Sequence, residues 1–392
     1  METPPKIRIE SIDLLRGIIM VIMALDHVRH YVHYSALWYS PTDPEHTTWA
    51  IFFTRWVTHY CAPVFCFLAG LSAWFSGRSK PRPALARFLF TRGLWLVFME
   101  FTLINLGWTF DPELKGIMLM VFWSLGMGMV CLAGLIYLPY RYILFVSLGM
   151  ILGHNLLDSI PLKGNVLWAI LHEGGPIFAS GDRTIFVAYP LIPWVAVMAV
   201  GYCFGPLYQA GFDAGKRRHF LRLSGLLLVI GFFLVRGINI YGDSSRWVWW
   251  PTTSQTAMDF LDPGKYPPSL LFLCMTLGPA LVFLSATESL KGRWVQVVSV
   301  FGRVPFFYYL AHIVLIHGIG LALAQWSGIG WQKMIMHSWF NFEELLAKAG
   351  YGYPLWVVYL VWLLVVVALY FPCLWFDQYK RRNARLWWLS YL

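Results

Sequence analysis

Long apolar runs separated by short polar segments recur along the whole chain. A run of about 18 or more apolar residues is long enough to cross a bilayer as a helix. Ten such runs are expected, near residues 12–34, 49–75, 84–107, 116–138, 140–157, 185–205, 220–241, 267–287, 294–324 and 354–376. The pattern predicts an all-α fold, a polytopic transmembrane helical bundle. Residues 1–11 are expected as an N-terminal tail, 12–376 as one membrane domain and 377–392 as a basic C-terminal tail. The stretch NVLWAILHEGGPIFAS, 165–180, is short for a span and reads as re-entrant or interfacial, which leaves an eleventh span open.

The first run, RIESIDLLRGIIMVIMALDHVRHYVHY at 8–34, breaks its own apolar pattern with Arg16, Asp26 and His27. Ionisable groups in a membrane helix are costly and mark a function or a partner. Eleven residues separate Arg16 from His27, which is close to whole helical turns and a rise of about 16 Å. The two side chains therefore share a face at different depths, an arrangement suited to a long ligand.

Composition agrees with the pattern: 58% of residues are hydrophobic and 13% charged, which excludes an ordinary soluble domain. The net charge of +10 follows membrane topology and does not point to nucleic acid. Lys and Arg gather on the cytoplasmic side of membrane proteins. Clusters at Arg78, Lys80 and Arg82, at Lys216–Arg218, at Lys291 and Arg293, and at Lys380–Arg382 fall on one side when both termini are cytoplasmic. The six cysteines lie in apolar runs with no CxxC pair and read as packing residues.

That topology sorts the polar residues by depth. Asp26, His27, His59, Glu100, Asn105, His154 and His317 fall in one layer of the outer half, with His312 near mid-membrane and His30 one turn beyond His27. Arg16, Arg92 and Arg303 form a cationic set toward the cytoplasm. Each member has a plainer reading. A lone histidine can simply bond a neighbouring helix, and Asp26 can pair with Arg29 or His30 at helical spacing. His27, His30 and His33 have conceivable metal spacing but no second ligand cluster, so no metal is expected.

The segments RIESIDLLRGIIMVIMALDHVRHYV, HYCAPVFCFLAG (59–70), RFLFTRGLWLVFMEFTLIN (87–105), YPLIPWVAVMAVGYCFG (189–205) and FGRVPFFYYLAHI (301–313) resemble, in order, the heparan-alpha-glucosaminide N-acetyltransferase-like membrane proteins. Bacterial members are the most similar. In the related sugar O-acyltransferases an Arg precedes a functional His by the spacing of Arg16 and His27. Eukaryotic members carry Asn at the His27 position, an acid at the His59 position, and a histidine in the loop after the first span, where this chain offers His33 and His46.

The resemblance implies acyl transfer from cytoplasmic acetyl-CoA to an extracytoplasmic acceptor, an amino sugar or other glycan, in a bacterial cytoplasmic membrane. Arg16, Arg92 and Arg303 would take the CoA phosphates, since the guanidinium fork suits phosphate. His27, Asp26 and His59 would be catalytic, with His30, Glu100, Asn105 and His312 around the acceptor. Direct transfer with His27 as base and an acetyl-His intermediate both remain open. Membrane lipids are the surrounding partner, and a homodimer is left open. The rival reading is a proton-coupled transporter or flippase, because layers of His, Asp and Glu also relay protons; the absence of an internal repeat weighs against it.

Overall fold

Proline and short polar side chains mark where the helices begin. Pro81, Pro139, Pro190 and Pro354 each stand at the N-cap of a long helix, where a missing N–H costs nothing. Thr48, Asp213 and Ser269 cap three others by accepting a backbone N–H. The computed structural model describes residues 9–160, 162, 164–383 and 385–390. Most are helical, and eight helices are long and apolar enough to cross a membrane.

In chain order the principal helices are α1 (Glu10–Val32), α2 (Trp49–Gly77), α3 (Arg82–Thr109), α4 (Val121–Leu135), α5 (Tyr140–Ser159), α6 (Leu191–Tyr208), α7 (Ala214–Ile238), α8 (Leu270–Thr287), α9 (Arg293–Arg303), α10 (Pro305–Trp326) and α11 (Leu355–Arg382). α1, α4 and α9 stand outside the eight: α1 because its charges interrupt the run, α4 and α9 because they are short.

α1 runs through the middle of the bundle, with Leu14, Ala24, Val28, Tyr31 and Val32 fully buried. It packs against α2, α9, α10 and α11. The approach to α9 is backbone on backbone. A Cβ on Gly302 would lie 2.0 Å from the Asp13 carbonyl, and one on Gly17 would lie 2.2 Å from that of Val298. α2 and α6 meet in the same way at Gly70 and Gly201. Small residues at such crossings replace the hydrophobic drive that lipid does not supply. α6 and α8 are mostly buried, whereas α5, α7 and α11 present large apolar side chains such as Phe145, Leu227, Leu234 and Phe371 outward. A surface of that kind needs a lipid environment.

Four expectations change. The fold is not purely helical: β1 (Gly116–Leu119) pairs parallel with β3 (Arg183–Val187), which pairs antiparallel with β2 (Gly175–Ser180). The runs at 116–138 and 185–205 therefore begin as strands and turn helical only at Val121 and Leu191. The stretch 165–180 is not an eleventh span; it forms a short helical turn, Val166–Trp168 and Ala169–Glu173, followed by β2. The single run 294–324 is two helices broken at Val304, with Pro305 opening α10. The last helix continues through Arg382, so most of the basic cluster assigned to the tail is helical.

Candidate active site between two cavities

α1 carries one end of the candidate site on each half of its length. Toward its start, Arg16 donates to the Gly302 carbonyl at 3.1 Å and to Ser72 Oγ at 3.0 Å, and faces Asp13 at 3.5 Å. Arg303, at the end of α9, donates from Nε to Asp377 of α11 at 2.7 Å. Arg92 of α3 lies over the Phe88 ring. These three arginines, expected as a set, line one cavity of about 490 Å³, and Lys380 joins them there.

Three turns further along α1, His27 lines a second and larger cavity of about 990 Å³. Its Nδ1 lies 2.7 Å from His312 Nε2, and His312 Nδ1 lies 2.8 Å from the Tyr308 carbonyl. A carbonyl can only accept, so His312 carries its proton on Nδ1 and, when neutral, offers a lone pair at Nε2. His27 Nδ1 then donates to it. The remaining His27 nitrogen, Nε2, is left with its lone pair, the form of a general base. The ring is held in that orientation by the edges of Trp108 and Tyr309, at centroid distances of 4.7 and 6.0 Å.

Asp26 does not orient this imidazole. It accepts from Arg29 at 3.1 Å and from Arg55 of α2 in a second, closer contact, so one carboxylate bridges a buried and a half-buried guanidinium beside the cavity. His30 also lines the cavity and faces Glu343 at 3.6 Å. His59 lines it from a 3₁₀ turn in α2, with a buried Nδ1 that has no hydrogen-bond partner among the described residues.

Glu100 and Asn105 line neither cavity. Glu100 Oε2 accepts from the Trp123 N–H at 2.9 Å, which caps the start of α4. Asn105 bonds both the N–H and the carbonyl of Met118, tying β1 to α3 beside a π-helical segment, Glu100–Ile104. His154 and His317 each face two backbone carbonyls and hold loops in place.

The two cavities share Met23, Phe65, Val121 and Tyr309 in their walls. The arginine cavity thus lies next to the His27 cavity along α1. The far wall of that cavity comes from connecting segments, including Ser245, Asp259, Asp262, Lys265, Tyr266, Trp339 and Glu343. Burial pushes the Asp262 carboxyl up to about 6, against the pull of Thr42, Arg55 and Arg236.

The catalytic-domain model of heparan-alpha-glucosaminide N-acetyltransferase matches residues 8–232. The chain belongs to that family. Membership makes it a membrane-bound transferase of the acyltransferase kind. A search of curated proteins gives no match. The family match contains Arg16, Asp26, His27, Arg55, His59 and Arg92, and ends before Lys265, Arg303, His312 and Lys380.

Arg55 and Lys265 were not singled out by the sequence, and Lys380 was read only as part of a basic cluster that marks topology. Arg55 carried a usable signal, since it lies one turn before His59 and so on the same face of α2. Lys265 and Lys380 sit in a connecting segment and a basic helix end, where a lysine ordinarily means solvent.

Proposed function

We propose that the protein transfers an acetyl group from acetyl-CoA to an amino sugar or related glycan, with the two substrates entering from opposite sides of the membrane. The observation that carries this is a pair of adjacent cavities with Met23, Phe65, Val121 and Tyr309 in both walls, one lined by Arg16, Arg92, Arg303 and Lys380, the other by His27. The CoA phosphates lie among the cations, where charge-assisted hydrogen bonds are strongest. The pantetheine arm follows α1, whose rise of about 16 Å from Arg16 to His27 sets its reach. A bacterial cytoplasmic membrane, ten spans and cytoplasmic termini complete the proposal, and they put the cationic cavity on the cytoplasmic side.

His27 Nε2 takes the proton of the acceptor amine or hydroxyl as that atom attacks the thioester carbonyl. His312, fixed by the Tyr308 carbonyl, holds the ring and shares the charge of the imidazolium. The carbon–sulfur bond then breaks, and the proton returns from His27 to the departing thiolate. Atoms and charge balance without a metal. Two adjacent cavities give each substrate its own place, which favours direct transfer over an acetyl-His intermediate.

The test is binding of CoA to the purified protein. A ligand that binds only the folded state raises its melting temperature. CoA and acetyl-CoA are expected to raise it, and Arg92→Ala to weaken the effect. No shift and no heat of binding at saturating CoA contradicts the proposal.

A further inference from the structure

Acyl transfer puts negative charge on the thioester carbonyl oxygen as the acceptor adds to its carbon. A site built for that step holds a hydrogen-bond donor there in advance. The histidine pair does not supply it. His312 Nδ1 is spent on the Tyr308 carbonyl, and His27 Nδ1 on His312.

The reacting carbon lies where the two cavities adjoin, since its CoA end belongs to one and the acceptor to the other. Of Met23, Phe65, Val121 and Tyr309, the residues in both walls, only Tyr309 carries a polar side chain. The start of α4 reaches the same boundary through Val121, but its Trp123 N–H is already taken by Glu100 Oε2 at 2.9 Å.

Tyr309 precedes His312 by three residues on α10 and so shares its face. It is 2% exposed. Its ring packs against Phe122 and His312 at centroid distances of 4.5 and 5.2 Å, besides the contact with His27. Trp108 of α3 donates its indole N–H to the Tyr309 oxygen at 3.0 Å. An indole N–H can only donate, so Tyr309 accepts in this bond and keeps its own proton to give. Among the described residues no acceptor takes that proton. The bond received from Trp108 also polarises the Tyr309 O–H and strengthens it as a donor. Trp108 is fixed in turn, because its carbonyl accepts from the Tyr31 hydroxyl and its ring meets Trp339 at 5.5 Å.

We propose that Tyr309 is a further catalytic residue, whose hydroxyl donates a hydrogen bond to the thioester carbonyl oxygen as charge develops there. This rests on the acyltransferase reading and adds an oxyanion donor to it. When the acceptor nitrogen or oxygen bonds the carbonyl carbon, the π pair of the C=O bond moves onto oxygen and faces the Tyr309 O–H. When the carbon–sulfur bond breaks, that pair returns and the carbonyl re-forms. Tyr309 keeps its proton throughout, and the proton that moves is carried by His27.

The experiment compares the wild type with Tyr309→Phe, which removes the hydroxyl and keeps the ring. Turnover with glucosamine is expected to fall roughly 10²–10³-fold, the worth of one oxyanion donor. The KM for acetyl-CoA and the rise in melting temperature with CoA should stay as they are. Infrared difference spectra of bound acetyl-CoA, labelled with carbon-13 at the carbonyl, need no turnover. A donated hydrogen bond weakens the C=O bond, so its stretch is expected at lower frequency in the wild type than in Tyr309→Phe. Trp108→Phe removes the polarising N–H and should raise the frequency part of the way, which serves as the test if Tyr309→Phe does not fold. Unchanged kcat in Tyr309→Phe overturns the proposal. A fall in kcat with the same carbonyl frequency in both variants and the wild type also overturns it, since that is the result of a merely structural role. If glucosamine is not acetylated, the carbonyl frequency alone decides. Failure of the transfer reading shows separately, as a wild type that does not bind CoA, and the proposal then falls with it.

Discussion

The His27–His312 pair is where sequence and structure meet at the scale of single residues. His27→Ala is expected to lower turnover by roughly 10²–10⁴, the usual worth of a positioned base. CoA affinity should persist, because the arginine cavity lies about three turns away. His312→Ala is expected to lower kcat as well, with little change in the KM for acetyl-CoA, since it acts through the His27 ring; steady-state kinetics on both variants checks the split. Asp262 offers a test of a different kind. Its carboxyl binds a proton more readily in the folded protein than in the unfolded chain, where a value near 3.9 applies. Stability from this group is therefore full below about pH 4 and is lost as pH rises through about 6. Asp262→Asn should raise the melting temperature at pH 7.5 and not at pH 4, as thermal unfolding at the two values would show. The register of Arg16 and His27 was legible because helical periodicity fixes it within one segment. The bond from His27 to His312 was not, because it joins residues 285 positions apart and depends on how two helices pack.

Helices and their crossings decide whether those residues meet. Every principal helix overlaps one of the long apolar runs, with α9 and α10 sharing one, since length and hydropathy mark such runs. Breaks inside the runs were harder to see. The division of 294–324 at Val304 was signalled only by Pro305, and the strands at 116–119 and 183–187 read as the apolar starts of helices. Periodicity over four or five residues does not separate strand from helix. The crossing of α1 and α9 carries the sharpest prediction at this scale. A methyl group at position 302 has no room against the Asp13 backbone. Gly302→Ala should push α9 from α1 and destabilise the protein by about 1–3 kcal/mol, the usual cost of overpacking. Because the Gly302 carbonyl also receives Arg16, CoA affinity should fall in the same variant, which titration calorimetry would register.

At the scale of the whole molecule the account requires a membrane with two distinct faces. Cysteine labelling from outside should reach sites introduced at 41–46 and 243–262, and miss those at 78–82 and 216–218. Labelling at 216–218 would move the chemistry to the other face. This topology rests on the charge pattern of the loops. The larger cavity was not legible, because its far wall is assembled from connecting segments whose folding is set by contacts such as those of Arg236. The central claim is that the two cavities bring a CoA thioester and an acceptor together at His27. Its most direct measurement is acetyl transfer in proteoliposomes, with acetyl-CoA sealed on the side of the arginine cavity and a glucosamine-terminated oligosaccharide on the other. Acetylated sugar should accumulate on the acceptor side with the wild type and not with His27→Ala. The absence of product with the wild type, or equal product with His27→Ala, would contradict the account.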